Sequence, residues 1–224
     1  MEELKISLEQ SWAKKLTIHF LNAAESDSFL ADETVLQLNQ VHGDRVVSWS
    51  EALAHKKQFL EADAFVATGD AFKKSRKKLM IKTADCVPLI YVDRESKSVA
   101  AVHAGWKGLQ KKIHLKIFKE FSFRPQTTWV WCGPSLNGDS FEVREDMREK
   151  FSTKKQKNSQ IFKEKSPGLY SFSPWSLISQ DFEDMGVELF YNFEINTLKN
   201  EEFYSYRRDP QNAGRNYSLV YFKA

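Results

Sequence analysis

The stretch Val87-Pro88-Leu89-Ile90-Tyr91-Val92-Asp93-Arg94-Glu95-Ser96-Lys97-Ser98-Val99-Ala100-Ala101-Val102-His103 decides the fold class. Two apolar runs, 87–92 and 99–103, are separated by the short polar link 93–97. A link of that length cannot hold a crossover helix, so the runs pair as antiparallel neighbours in one sheet. Similar runs occur at 35–41, 46–49, 64–68, 79–83, 128–132, 187–191 and 218–222, each with the length and flanking turn residues of a strand. Helical periodicity is rarer. Leu109, Ile113, Ile117, Phe118 and Phe121 share one face of a helix over 109–121. Ser173-Pro174 is a capping residue followed by proline at the first helical position. The helix it opens carries Ile178, Phe182 and Met185 inward and stops at Gly186. A third helix is expected over 144–151, and the lysine-rich 153–159 reads as the least ordered segment. This pattern argues against a doubly wound parallel sheet. The expected class is α+β: a single domain over 1–224, with mixed, largely antiparallel β-sheets flanked by helices.

At 224 residues the chain can bury one substantial core and is short for two. Hydrophobic residues at 42% and charged residues at 28% suit a soluble globular domain. Seventeen Phe, seven Tyr and six Trp point to a thickly packed interior. A net charge of +3 is too small to argue for nucleic acid or a membrane surface. The basic stretch Lys73-Lys74-Ser75-Arg76-Lys77-Lys78 reads as a solvated loop rather than a nucleic-acid contact. The charged opening Met1-Glu2-Glu3-Leu4-Lys5 leads into no signal-like apolar core, and no stretch reaches the length of a membrane span. Two cysteines, Cys86 and Cys132, are too few for a secreted disulfide framework. The expected compartment is a reducing cytoplasm, which keeps Cys86 free as thiol or ligand.

The chemistry concentrates at three strand ends. His103 closes an apolar run before Ala104-Gly105-Trp106; His42 stands in Gln40-Val41-His42-Gly43; Cys86 stands in Thr83-Ala84-Asp85-Cys86-Val87-Pro88. Two histidines and a cysteine are one ligand set of a catalytic zinc that keeps its fourth position open. Asp85 would then serve as an acceptor that fixes a histidine tautomer. The same residues also compose a metal-free site, with Cys86 as nucleophile, His103 as its base and His42 as an orienting or acid group. A third reading makes each of them a packing residue at a strand end. Spacing alone does not separate the three.

These motifs are joined by Glu61-Ala62-Asp63-Ala64, by Cys132-Gly133-Pro134-Ser135 with Phe141-Glu142-Val143, and by Tyr204-Ser205-Tyr206-Arg207-Arg208 followed by Gly214-Arg215. In this order and spacing the chain resembles the YfiH family, also called the laccase-domain or polyphenol-oxidase-like family, over roughly residues 35–220. The resemblance implies a zinc-dependent purine nucleoside enzyme that phosphorolyses adenosine, inosine and methylthioadenosine and deaminates adenosine. Its partners would be a purine nucleoside and phosphate, with neither nucleic acid nor membrane involved. It implies His42, Cys86 and His103 as metal ligands and active-site residues. To these we add Asp85 as an acid–base candidate, with Arg208 and Arg215 holding an anionic group. The fold group is also compared with cysteine hydrolases, and some bacterial members are linked to peptidoglycan-precursor editing. An amide-directed cysteine hydrolase and a catalytically silent binding module therefore stay open. Laccase activity is not expected, because a multicopper centre needs more imidazoles than five histidines supply. Copper binding in vitro would follow from the general affinity order of divalent metals.

The departures carry information too. Where the family usually has Thr-Arg-x-Gly-Gly, this chain has His19-Phe20-Leu21-Asn22-Ala23-Ala24, which makes 1–34 a divergent N-terminal segment. An arginine there would contact phosphate or carboxylate, so its loss bears on phosphorolysis more than on metal binding. Lys107 replaces an arginine after the Trp, and Asn196-Thr197 replaces Cys-Thr. Gly133-Pro134-Ser135 could form an anion-holding turn or a plain one. Trp106 could stack on a base or pack in the core. His19, His55 and His114 lack supporting context.

Overall fold

A computed structural model describes residues 5–8, 13–26, 32–55 and 59–223. The chain folds as a mixed αβ domain with the fold class expected. The central sheet has six strands: β4 (Val46–Ser48), β5 (Ala64–Thr68), β7 (Val87–Asp93), β8 (Ser98–Ala104), β9 (Thr128–Cys132) and β13 (Leu189–Asn192), in the order β13-β9-β7-β8-β5-β4. Its inner pairings are antiparallel, while β13 on β9 and β4 on β5 are parallel. A second sheet holds β1 (Lys5–Leu8), β2 (Leu16–Leu21), β3 (Val35–Leu36), β6 (Lys78–Thr83) and β14 (Asn216–Phe222), in the order β1-β2-β14-β6-β3. A small antiparallel sheet joins β10 (Gly138–Arg144), β11 (Phe162–Ser166) and β12 (Leu169–Phe172), with β12 in the middle.

Strands β7 and β8 are buried along their whole length, because both faces of the central sheet are covered. Strand side chains alternate between faces, and here the alternation feeds two cores. Ala64, Val66, Leu89, Tyr91, Ala100 and Val102 face one core, closed by Ile113, Ile117, Phe172, Ile178 and Phe182. Phe65, Ala67, Ile90, Val92, Val99 and Ala101 face the other, against Leu16, Ile18, Phe20, Leu79, Ile81 and Val220 of the second sheet. That is why these runs read as continuously apolar rather than alternating. Asp93 fixes the tight connection between β7 and β8. Its fully buried carboxylate accepts from the Glu95 and Ser96 N–H groups, the Thr127 hydroxyl and the Arg124 N–H.

Several expectations are corrected. The helix read over 109–121 is two helices, Trp106–Gln110 and Ile113–Glu120, because the chain turns at Lys112 in the left-handed region (φ +61°). The strand read over 35–41 ends at Leu36, where the chain leaves the sheet toward the His42 loop. The helix read over 144–151 contracts to Glu145–Arg148, and 153–159 holds a helical turn, Thr153–Gln156. Lys73–Lys78 is no loop: Lys73 and Lys74 end the helix Gly69–Ser75, and Lys78 opens β6. The helix Pro174–Met185 has Ser173 as its cap and Gly186 in the left-handed C-cap, as expected.

Gly133, which follows β9, packs directly against Phe20 of β2 in the second sheet. A Cβ there would lie 2.3 Å from Phe20 Cδ1 and 2.4 Å from Cε1. Gly133→Ala must displace a fully packed ring, at a cost of about 2 kcal/mol. The melting temperature should fall by roughly 4–8 °C in a thermal scan; an unchanged value would mean that the sheets can move apart freely.

Candidate metal centre

Sheet order and strand direction bring the site residues to one edge. In the β7–β8 ladder Val87 pairs with Ala104 and Pro88 with His103, so Cys86, just before β7, arrives beside the end of β8. In the β5–β8 ladder Ala64 pairs with Val102, which places Asp63 at the foot of β5 next to His103. Strand β4 runs parallel to β5, with Val46 opposite Ala64, and delivers the loop that carries His42 to the same edge.

Asp63 binds these arrivals together. Its Oδ1 accepts the His42 backbone N–H at 3.0 Å and the His103 Nδ1–H at 2.8 Å; its Oδ2 accepts the Gly43 N–H at 2.7 Å. The Asp63 carbonyl also accepts the His103 N–H at 2.8 Å. Burial works against a charged carboxylate here. The hydrogen bonds from His103, Gly43 and His42 outweigh it and hold the Asp63 carboxyl below its ordinary value. Gln40 adds a second tie, its amide pairing with both the N–H and the carbonyl of Lys82, each at 2.7 Å.

The resulting cluster is compact. The ligand atoms of His42, Cys86 and His103 lie within 4.8 Å of one another, with Cys86 Sγ 3.9 Å from His42 Nδ1. Tetrahedral zinc with ordinary bond lengths needs ligand separations of about 3.3–3.6 Å, so a small inward adjustment would close the three on an ion. His103 Nδ1 is spent on Asp63, which leaves Nε2 with its lone pair for a metal, the carboxylate–histidine arrangement of zinc sites. Burial pushes the Cys86 thiol up, but the His103 and His42 imidazoles outweigh it and bring it down to about 6. His103 moves up: burial opposes its charged form, and the Cys86 thiolate and Asp63 carboxylate override that. Gly105 makes the convergence possible, since a Cβ would sit 3.1 Å from both Cys86 Sγ and His42 Nδ1. His42 (φ +56°) and Asp85 (φ +84°) both occupy the left-handed region beside the cluster, a conformation costing roughly 1–3 kcal/mol that local bonds must hold in place.

The cluster opens into a cleft of about 540 Å³. Trp106, Phe141 and Tyr206 give it aromatic walls, and Lys82, Arg207 and Arg215 give it cationic ones. Arg207 lies over the Phe141 ring at 5.6 Å.

Two expected roles are corrected. The acceptor that fixes a histidine tautomer is Asp63, and the Asp85 carboxylate is engaged by the Thr197 hydroxyl and the Arg207 N–H, each at 2.6 Å. Arg208 does not line the cleft; its guanidinium donates to the backbone carbonyls of Thr197 at 2.9 Å and Phe203 at 2.7 Å, clamping that segment. Its neighbour Arg207 lines the cleft instead, together with the expected Arg215. Gly133-Pro134-Ser135 is a structural turn, its Gly133 and Ser135 N–H groups bonded to Pro88 and Ile195 carbonyls. Cys132 is fully buried, and burial pushes its thiol far up, which makes it inert. His114 is buried against Asp181 at 2.9 Å, His19 is buried in β2, and His55 is exposed. Asp63 escaped sequence reasoning although Glu61-Ala62-Asp63-Ala64 displayed it; an acid at the foot of an apolar strand was the available signal.

A family model described as multi-copper polyphenol oxidoreductase laccase matches residues 20–223. The chain belongs to this family, the YfiH family. The purine nucleoside phosphorylase of Haemophilus influenzae is 30% identical over 200 residues, spanning 88% of this chain and 78% of that protein. The purine nucleoside phosphorylase YfiH of Escherichia coli is 32% identical over 186 residues, spanning 82% and 72%. Among solved structures, a Neisseria meningitidis protein superposes with a TM-score of 0.82 over 100% of both chains at 24% identity. YlmD from Geobacillus stearothermophilus gives 0.72 over 86% of this chain and 74% of its own, at 23%. At those identities the structures speak for the fold, while the curated relatives support a phosphorylase-like enzyme. No described helix is long and apolar enough to cross a membrane.

Asp63→Asn tests the tie. Both carboxylate oxygens accept, so an amide must turn an N–H toward a donor, leaving buried groups unpaired at about 1–3 kcal/mol. Zinc affinity, measured by chelator competition, should fall roughly 10–100-fold. Unchanged affinity would show that His103 is oriented without this carboxylate.

Proposed function

We propose that the chain is a zinc-dependent purine nucleoside phosphorylase whose metal ligands are His42, Cys86 and His103. The observation that carries this reading is the three-ligand cluster, braced by Asp63 and open to a cleft with aromatic and cationic walls. One thiolate with two imidazoles suits zinc; copper would also bind such donors in vitro. A bound zinc would supply Lewis acidity toward a substrate or water oxygen.

The chain's own residues do the rest. The cleft volume lies in the range that encloses a small organic ligand. Trp106, Phe141 and Tyr206 offer flat apolar surface to a purine. Arg207 and Arg215 offer positive charge to an anion. In phosphorolysis a phosphate oxygen bonds to the ribose C1′ as the C1′–N9 bond breaks. The bonding pair leaves with the purine nitrogen, the base takes up a proton, and ribose 1-phosphate remains. Cationic groups favour this step by orienting the nucleophile beside C1′. Adenosine deamination in the same cleft would need an acid–base group near the ring, and Asp85 is the carboxylate that lines it.

A second reading is favoured by one specific contact. The Asp63–His103 hydrogen bond beside a thiol of lowered pKa also has the form of a metal-free cysteine site. Its substrate would be an amide. The two readings part on metal and product. Metal-replete protein should convert adenosine, inosine or methylthioadenosine to free base and a ribose phosphate only when phosphate is added. Product should fall to background in Cys86→Ala and after chelation. Chelator-insensitive amide hydrolysis abolished by thiol alkylation would favour the second reading, and no turnover of any of these substrates would leave a binding module.

A further inference from the structure

Lys82 is held to Gln40 through its backbone, and its side chain belongs to the cationic wall of the cleft. It lies on β6 opposite Tyr217 of β14, four residues before Cys86, and reaches the wall of the cleft. Its ammonium sits 5.9 Å from the centre of the Phe59 ring and is half-buried. Burial and the nearby Arg215 charge both push its pKa down. Arg215 stands one residue before β14, so adjacent strands carry the two cations into the same space. The Arg215 guanidinium donates to the Ala213 and Gly214 carbonyls. Arg207 lies over Phe141. Among the described residues, no carboxylate forms an ion pair with Lys82, Arg207 or Arg215. The one acid in the lining, Asp85, has its two oxygens engaged by Thr197 and the Arg207 backbone. No residue of 19–24 lines the cleft, so the end of β2 contributes no charge to it.

Holding the half-buried Lys82 charge beside the exposed Arg215 guanidinium is unfavourable unless an anion completes the set. A tetrahedral oxyanion has oxygens enough to accept from an ammonium and two guanidinium groups at once. We infer that Lys82 is the principal phosphate-binding residue of this cleft, acting with Arg215 and Arg207 to hold the oxyanion beside the His42/Cys86/His103 cluster. The inference rests on the phosphorylase reading for the role of that phosphate. Its physical content, a site for inorganic phosphate, stands without turnover.

The test combines turnover with direct binding. Lys82→Met keeps the aliphatic stem and removes the charge; Lys82→Arg restores a cation. Thermal scans and zinc content establish that both variants fold and load metal like the parent. In steady-state assays Lys82→Met should raise the KM for phosphate at least about tenfold, with the nucleoside KM within about twofold, and Lys82→Arg should recover most of the loss. Titration of inorganic phosphate into the metal-loaded parent, read by calorimetry, should show binding that weakens at least about tenfold in Lys82→Met. That result supports the site even if no nucleoside is turned over. A parent that phosphorolyses nucleosides while Lys82→Met keeps its phosphate KM would overturn the inference and leave the function intact. A parent that binds no phosphate would overturn it outright.

Discussion

The buried carboxylate of Asp63 is the constraint on which the rest of the site depends. Three N–H groups from two separate segments converge on its two oxygens, and its own carbonyl takes a fourth from His103. Remove that charge and the His42 loop loses its anchor to the sheet. The His103 ring loses the contact that fixes its tautomer. Buried carboxylates are expensive unless fully hydrogen-bonded, and here the expense is offset by contacts that also define the geometry. One residue thus couples folding to the placement of the His42/Cys86/His103 cluster. The coupling is local. It needs no long loop, only the register that sets Asp63 against His103.

The architecture supplies that register cheaply. Antiparallel pairing of β7 with β8 and of β8 with β5 places a strand start beside a strand end, so Cys86 and Asp63 flank His103 by necessity. Both faces of these strands are buried, and a one-residue slip would exchange the two cores. Packing against two cores therefore fixes the relative positions of the site residues far more firmly than loop contacts alone would. The left-handed residues His42 and Asp85 and the unsubstituted Gly105 are the local adjustments that this scaffold tolerates so that nitrogen and sulfur can meet.

Much of this was legible in the sequence, for physical reasons that can be traced. The link 93–97 was too short for anything but a hairpin, and the antiparallel class followed. Cys86 and His103 were visible because each sits at a strand end beside glycine or proline, and His42 because it stands before Gly43 on the loop that leads into β4. What stayed hidden was the direction of polar side chains. Asp85 is adjacent to Cys86 in sequence, yet its carboxylate bonds to Thr197 and Arg207; Asp63, twenty-three residues from Cys86 in sequence (86 − 63), does the work expected of it. Arg207 takes the place expected of Arg208, because an irregular turn sends its side chain to the cleft and that of Arg208 to backbone carbonyls. The break at Lys112 was invisible to helical periodicity, which registers an apolar face and not a left-handed turn within it.

The site works as described only if one sulfur and two imidazoles share an ion. X-ray absorption at the zinc edge, recorded on zinc-loaded parent protein, measures that shell directly. It should resolve one sulfur at about 2.3 Å and two imidazole nitrogens at about 2.0–2.1 Å around a single equivalent of zinc. A shell without sulfur, or protein that retains no stoichiometric zinc after gel filtration, would contradict it.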